Sequence, residues 1–340
     1  MGHSGENIRA VAHRHNLPVE HPDSLIDVEL PVPGIGPRDL LVKVEAVSVN
    51  PVDVKLRQGD GADGLAHVLG FDAAGTVLAA GDEVTRFHPG DEVYYAGSID
   101  RPGTNSRLHA VDERIVGGKP RSLGFTEAAA LPLTAITAWE TLFERFRLGP
   151  DSTGALLVLG GAGGVGSILI QLAKELTSMT VIASASRPES ADWVKEMGAD
   201  HVVDHSGDLA GQIEALSPGG VTHVLSPHTE GMVPLFAEIL APGGEIVAID
   251  EPESLDILPL KEKSITWHWE LMFTRPSFQT GDMIEQQRLL DRVAEMVDAG
   301  RLRSTMRESF RPIDAENLKR AHALVESGRS IGKVVVTGWD

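Results

Sequence analysis

Residues 156–166 read Leu-Leu-Val-Leu-Gly-Gly-Ala-Gly-Gly-Val-Gly, and Ser167-Ile-Leu-Ile-Gln-Leu-Ala-Lys174 follows with helical spacing. Few structures accommodate that order. The apolar run fits a buried strand, the glycines a sharp turn, and the next stretch a helix packed back on the strand. Glycine makes up 36 of the 340 residues, so the spacing Gly161-x-Gly163-x-x-Gly166 alone is weak evidence. Strand before and helix after supply the context a dinucleotide-binding turn requires. Gly161 is expected to permit the tight turn, Gly163 the approach of backbone to a pyrophosphate, and Gly166 close helix–strand packing. The first helical N–H groups, from Gly164 and Val165 onward, would face the phosphates with the positive end of the helix dipole behind them.

The next apolar stretch, Met-Thr-Val-Ile-Ala-Ser-Ala at 179–185, reads as the second strand. An NAD site would end it with Asp or Glu, about 20 residues past the turn, to hold the ribose hydroxyls. The chain has Ser184-Ala185-Ser186-Arg187 instead. Ser186 can donate to a phosphate, and Arg187 can pair with one as a planar cation. NADPH, with its 2′-phosphate, is therefore the expected cofactor.

A formal net charge of −19 repels nucleic acid and anionic membrane surfaces, so neither is an expected partner. A phosphate-bearing ligand must be held by local donors against that field. The chain has no cysteine, which removes disulfides, thiolate catalysis and Cys-ligated metals. No apolar run is long enough to span a bilayer, and no secretory signal pattern opens the chain, which leaves the cytoplasm as the expected compartment.

Two kinds of organisation alternate along the chain. Residues 8–122 read as short strands punctuated by Pro33-Gly34, Gly36-Pro37 and Pro89-Gly90, a β-rich unit. Thr126 is a candidate cap for a helix, and a second helix is expected after Pro132, through Trp139. From 154 to 250 strands and helices alternate, with strands expected at 155–159, 180–183, 201–203, 223–225 and 245–249. That alternation implies a parallel sheet with crossover helices. Amphipathic helices are expected at 282–298 and at 315–327 (capped by Asp314), then a terminal strand at 333–337 returning to the first unit.

Three further segments carry a family likeness: Ser48-Val-Asn50-Pro51-Val-Asp53-Val-Lys55, Leu69-Gly70-Phe71-Asp72-Ala-Ala-Gly75, and Ala128-Ala-Ala-Leu-Pro132-Leu-Thr134-Ala-Ile-Thr-Ala-Trp139. They resemble the medium-chain dehydrogenase/reductase superfamily, in its zinc-free quinone oxidoreductase branch, and among its subgroups bacterial zinc-type alcohol dehydrogenase-like proteins. The resemblance implies an α/β fold: a GroES-like β-rich catalytic domain (residues 1–133 and 272–340) and a Rossmann doubly wound parallel-sheet domain (134–271), with the nicotinamide in the cleft between them. Zinc members carry Cys at the position of Asn50 and His-Glu at the positions of Phe71-Asp72, so a metal-free site is expected. By the same resemblance Asn50 lies near the nicotinamide ribose, Thr134 contacts the cofactor at the domain junction, and Ser186 and Arg187 match the 2′-phosphate position. His205 stands where relatives use Tyr near the adenosine end. Phe273 and Thr274 match the segment lining the nicotinamide, and Lys333 lies near the cofactor. Relatives commonly dimerise edge to edge, which places 245–249 at a homodimer interface.

Without a Lewis acid, reducing a conjugated C=C or a quinone is easier than reducing a simple ketone, because charge spreads to a distant oxygen that hydrogen-bond donors can stabilise. The expected activity is NADPH-dependent reduction of a small quinone or α,β-unsaturated carbonyl. Asn50 and Lys55 are the candidate catalytic residues, Lys55 as proton donor or enolate stabiliser. Tyr94 or Tyr95 could add a phenol, though core packing fits them better. Trp267, Trp269 and Phe273 could line an apolar pocket or simply fill the core. Two alternatives stand beside this one: an alcohol dehydrogenase with a Cys-free zinc site, and a non-catalytic NADPH-binding protein.

Overall fold

The computed structural model describes residues 7–59 and 63–340. The chain divides into two compact units, Met1–Ile136 with Phe273–Asp340, and Thr137–Met272.

The first unit opens with β1 (Asn7–His13), β2 (Ile26–Pro31) and the long β3 (Asp39–Val49). Helix α1 (Pro51–Gln58) follows, then β4 (His67–Val68), β5 (Ala73–Ala80), β6 (Glu92–Tyr95), β7 (Leu108–Asp112) and β8 (Val116–Gly118). Asn50 precedes α1 with Pro51 in its first turn, and the Asp53 carboxylate accepts from the Asn50 backbone N–H, so the helix starts where sequence chemistry says it should. Short α2 (Phe125–Ala128) begins after Gly124, not Thr126: the Glu127 carboxylate accepts from the Gly124 N–H at 2.8 Å, while the Thr126 hydroxyl pairs with that of Thr337. Helix α3 (Pro132–Trp139) continues into a π-helical stretch, Glu140–Arg145.

The second unit holds β9 (Ala155–Val158), α4 (Gly164–Leu176), β10 (Thr180–Ser184), α5 (Pro188–Glu196), β11 (His201–Val203), α6 (Leu209–Leu216), β12 (Val221–Ser226), α7 (Val233–Ile239), β13 (Leu240–Ala248) and β14 (Thr266–Trp269). The strands form one parallel sheet in the order β11-β10-β9-β12-β13-β14. That is a doubly wound sheet whose order reverses beside β9, the place where such sheets bind ligands beyond their carboxyl ends. The strand expected at the dimer edge, β13, lies between β12 and β14, so the free edge on that side is β14.

The chain then re-enters the first unit with α8 (Thr274–Phe278), α9 (Ile284–Asp298), β15 (Met306–Phe310), α10 (Ala315–Glu326) and β16 (Lys333–Thr337). Asp314 caps α10 by accepting from the Asn317 N–H. β16 pairs antiparallel with β3, Val334 opposite Val49, inside a sheet ordered β15-β16-β3-β5-β6-β8. Burial of Leu40, Val42, Val44, Val47, Val49, Val334 and Val336 in one core fixes that return. No helix among the described residues is long and apolar enough to cross a membrane.

Candidate active site

The glycine turn after β9 is a site built from backbone. Gly163 precedes α4 and brings no side chain to the cap, so the amides of Gly164, Val165 and Gly166 are first-turn donors without intrahelical acceptors. A Cβ on Gly166 would meet the carbonyl oxygen of Gly161 at 2.6 Å, and one on Gly161 would meet Ala183 Cβ at 2.9 Å. Both glycines thus serve close packing. The left-handed bend falls one residue earlier than expected, at Gly160 (φ +62°). The bend is tied to the second strand, because Gly160 N–H donates to Ser184 Oγ at 3.0 Å and Gly161 N–H to the Ser184 carbonyl at 3.2 Å. At the far end of β10, Ser186 is exposed, and half-buried Arg187 caps α5, its N–H and carbonyl both engaged with Ser190 Oγ. Neither Ser186 nor Arg187 is followed by a carboxylate until Glu189. His205 sits exposed in the turn after β11.

The first unit contains a different construction, a fully buried charge cluster. Lys333, the first residue of β16, sends Nζ to Asn50 Oδ1 (2.5 Å), the Val49 carbonyl (2.9 Å) and Asp72 Oδ2 (3.2 Å). Asn50 Nδ2 donates to Asp72 Oδ2 at 2.8 Å, and Ser48 Oγ donates to the same oxygen at 2.7 Å. The other Asp72 oxygen accepts from the Leu133 N–H at the start of α3, at 2.8 Å. Asp53 accepts from the backbone N–H groups of Asn50 (2.8 Å) and Gly70 (2.9 Å). Asn50, Asp53, Asp72 and Lys333 are each at most 3% exposed. Sequence reasoning named Asn50 and Lys333 separately. It missed that Asp72, 22 residues from Asn50, joins them. Thr134 lies one residue past Leu133, buried, with its hydroxyl donating to the Leu131 carbonyl at 3.1 Å.

Burial dominates the electrostatics here. It pushes Asp53 up to about 7, against the pull of the two amides and Lys333. Asp72 is also raised by burial, and Lys333 is lowered by burial while both carboxylates hold it up. A carboxyl whose folded value exceeds its unfolded one binds its proton more tightly when folded. Asp53 therefore contributes most at acidic pH, and that contribution falls away as pH rises from about 4 to about 7.

Other expected participants are placed elsewhere. Lys55 stands on the exposed face of α1, not at a strand end, and α1 buries Asp53, Val54 and Arg57 instead. Tyr94 donates its hydroxyl to the Leu290 carbonyl at 2.6 Å, and the Tyr95 hydroxyl meets His109 Nδ1 at 3.1 Å, so both phenols are committed in the core. The three aromatics belong to different units. Trp267 and Trp269 pair with each other on β14, whereas Phe273 meets the edge of Phe71, centroids 5.2 Å apart. Phe273 is buried and Thr274 exposed.

Zinc does not fit the cluster. The position of the zinc relatives' Cys holds an amide whose oxygen and nitrogen are both engaged. Phe71 offers no donor atom, and both Asp72 oxygens already accept hydrogen bonds. A metal ion would also sit against the Lys333 ammonium. Among the described residues no group of three His, Asp or Glu side chains could hold a metal ion.

Comparison with known proteins agrees with this architecture. The alcohol dehydrogenase GroES-like domain family matches residues 36–138, and the zinc-binding dehydrogenase family matches 197–336. A zinc-type alcohol dehydrogenase-like protein of Staphylococcus aureus is 42% identical over 306 residues, covering 88% of this chain and 90% of the relative. A Rhizobium etli protein, whose crystal structure is described as that of a zinc-dependent alcohol dehydrogenase, superposes with a TM-score of 0.95 at 51% identity, covering 98% of this chain and 99% of that one. The quinone oxidoreductase of Pseudomonas syringae superposes with a TM-score of 0.84 at 26% identity, covering 97% and 99%. With a GroES-like unit, a doubly wound nucleotide-binding unit, and an amide and a phenyl ring where the resemblance puts the Cys and His of zinc members, the chain belongs to the medium-chain dehydrogenase/reductase superfamily, as an NAD(P)-dependent oxidoreductase of its zinc-lacking branch.

Proposed function

We propose that the protein is an NADPH-dependent reductase of quinones or α,β-unsaturated carbonyls, working without a metal in the cytoplasm. The observation that carries the reading is that Asn50 and Asp72, at positions the resemblance matches to zinc ligands, are bonded to each other and to the Lys333 ammonium. A site without that acid favours acceptors whose negative charge delocalises. Bound reduced nicotinamide supplies the hydride, and one proton from solvent or a side chain completes the two-electron reduction.

The chain's own residues bind and orient. The amides of Gly164, Val165 and Gly166 offer donors to a pyrophosphate. Ser186 and Arg187 offer a hydroxyl and a fork of N–H donors to a 2′-phosphate, at the strand end where an NAD site places Asp or Glu. Asn50 is held in one orientation by partners on both ends of its amide, and Phe71 and Phe273 present an apolar surface beside it that keeps water away. Lys55 lies on the exposed face of α1, which leaves solvent as the source of the proton. Self-association through the free edge of β14 fits the exposed Trp269 there.

The test is NADPH oxidation with small quinones and enones in the presence of chelator, paired with fluorescence titration by NADPH and NADH. Turnover with tighter NADPH binding is expected. No turnover across both acceptor classes, or tighter binding of NADH, overturns the reading.

A further inference from the structure

The first unit carries a recess that the polar cluster does not account for. Leu30 of β2, Leu56 of α1, Leu69 and Phe71 ahead of β5, and Ile99 and Pro102 after β6 line a volume of about 490 Å³. That lies in the range of small-molecule pockets and exceeds what a bare six-membered ring requires. The recess meets the cluster through Phe71, whose carbonyl lies 3.4 Å from Asn50 Nδ2. Phe71 is adjacent in sequence to Asp72, and Leu56 lies one turn of α1 beyond Asp53.

Arg101 and His67 in the wall are paired within the protein. Arg101 gives two N–H groups to Asp39, at 2.8 and 2.9 Å. His67 Nε2 lies 2.8 Å from Asp63 Oδ1, and the His13 ring is buried with no hydrogen-bond partner at Nδ1, burial holding it toward its neutral form. Asp100 is exposed. A neutral apolar guest disturbs none of these pairs. An acidic guest would have to compete with Asp39 for Arg101, because burial disfavours the charged form of His13, the buried ring in the same wall.

We propose that this recess holds the hydrocarbon tail of a neutral acceptor whose reducible head lies at Phe71, so that the enzyme selects long-tailed lipophilic quinones or enones over bare rings and over acids. The inference rests on the reductase reading for the chemistry of the head and on the recess alone for the tail. Each buried methylene then raises kcat/KM about fourfold until the recess is full.

The experiment uses the full chain in two assays. The first measures NADPH oxidation with benzoquinones bearing linear substituents from methyl to octyl, plus the analogue of the longest ending in a carboxylate. A rise with chain length, and its loss on the carboxylate analogue, are expected. Ile99→Trp should bring the octyl-to-methyl ratio of kcat/KM close to unity; Leu30→Trp serves should that variant fail to fold. The second assay needs no turnover: octylphenol, which cannot be reduced, is titrated calorimetrically into the cofactor-free protein. One-to-one binding, weakened about tenfold or more by Ile99→Trp, is expected. Binding of this kind with no acceptor reduced supports the recess and removes the reductase reading. Reduction that ignores chain length, with octylphenol binding absent or indifferent to the tryptophans, overturns the recess and leaves the reductase reading intact.

Discussion

The glycine turn of the second unit and the charge cluster of the first are opposite solutions to binding. The turn holds its ligand groups on the main chain and requires of side chains only that they be missing: Gly166 tolerates no Cβ, because the Gly161 carbonyl lies 2.6 Å from where it would be. The cluster is built on charged and polar side chains, which reach it from β3, the start of α1, the residue ahead of β5, and β16. One is a geometric constraint written into eleven neighbouring residues. The other is an electrostatic balance in which Lys333 and Asn50 bond across 283 positions. The first should fail by steric strain and the second by leaving a charge unpaired.

The largest expected effect is on the balance. Lys333→Met leaves Asp72 buried without its cation, and should lower stability by about 3–5 kcal/mol. Denaturant melts check this, and the double variant Lys333→Met/Asp72→Asn should recover much of the loss. If the single variant is as stable as the parent, the cluster is not held by charge. The steric site comes next. Gly166→Ala should cost about 1–3 kcal/mol from overpacking and weaken NADPH and NADH together, because the clash lies at the pyrophosphate turn common to both. Equal stability and binding would mean the turn shifts freely.

A third measurement separates the units by pH. Burial holds His109 down to about 4 and His322 down to about 3, and both lie in the first unit. The unfolded chain takes up these protons near pH 6.5 and the folded chain does not. Stability should therefore be intact above pH 6.5 and fall below it, by about 1.4 kcal/mol per pH unit for each histidine. His322→Leu should flatten that slope, read from melts between neutral and mildly acidic pH. An unchanged slope would place the acid sensitivity outside this cluster.

Smaller effects sharpen the cofactor assignment. Arg187→Ala should weaken NADPH by roughly 10- to 100-fold and leave NADH nearly unchanged, as fluorescence titration would show. Equal loss for both would remove the 2′-phosphate assignment. Lys55→Ala, on the exposed face of α1, should change kcat/KM by about twofold or less. A drop far beyond that would return Lys55 to the chemistry.

Much of this was legible in the chain itself. The β9–turn–α4 segment announced its fold because strand period, glycine spacing and helix period are local properties, met within some twenty residues. The Asp314 cap and the returning strand β16 were readable for the same reason. Legibility failed where a neighbour in space, not in sequence, decided the outcome. Thr126 has the chemistry of a cap, yet Glu127 reaches back to Gly124 and its hydroxyl goes to Thr337. The resemblance puts residues 245–249 at a dimer edge, whereas in the sheet β14 pairs alongside them. Lys55 and Lys333 look alike as letters; one is solvated, and the other is 3% exposed among two carboxylates.

By itself the sequence determined the two-unit plan, the backbone cradle for a dinucleotide, the missing carboxylate beside Arg187 and the lack of cysteine. Each follows from which residues are adjacent or absent. Only the tertiary structure decided that Asn50, Asp72 and Lys333 form one buried group, that Phe71 faces Phe273, and that leucines from β2 and α1 enclose a recess beside them. Burial sets those relations, because a charge or an apolar wall acquires its meaning from what is packed against it, and packing partners are chosen by the whole fold.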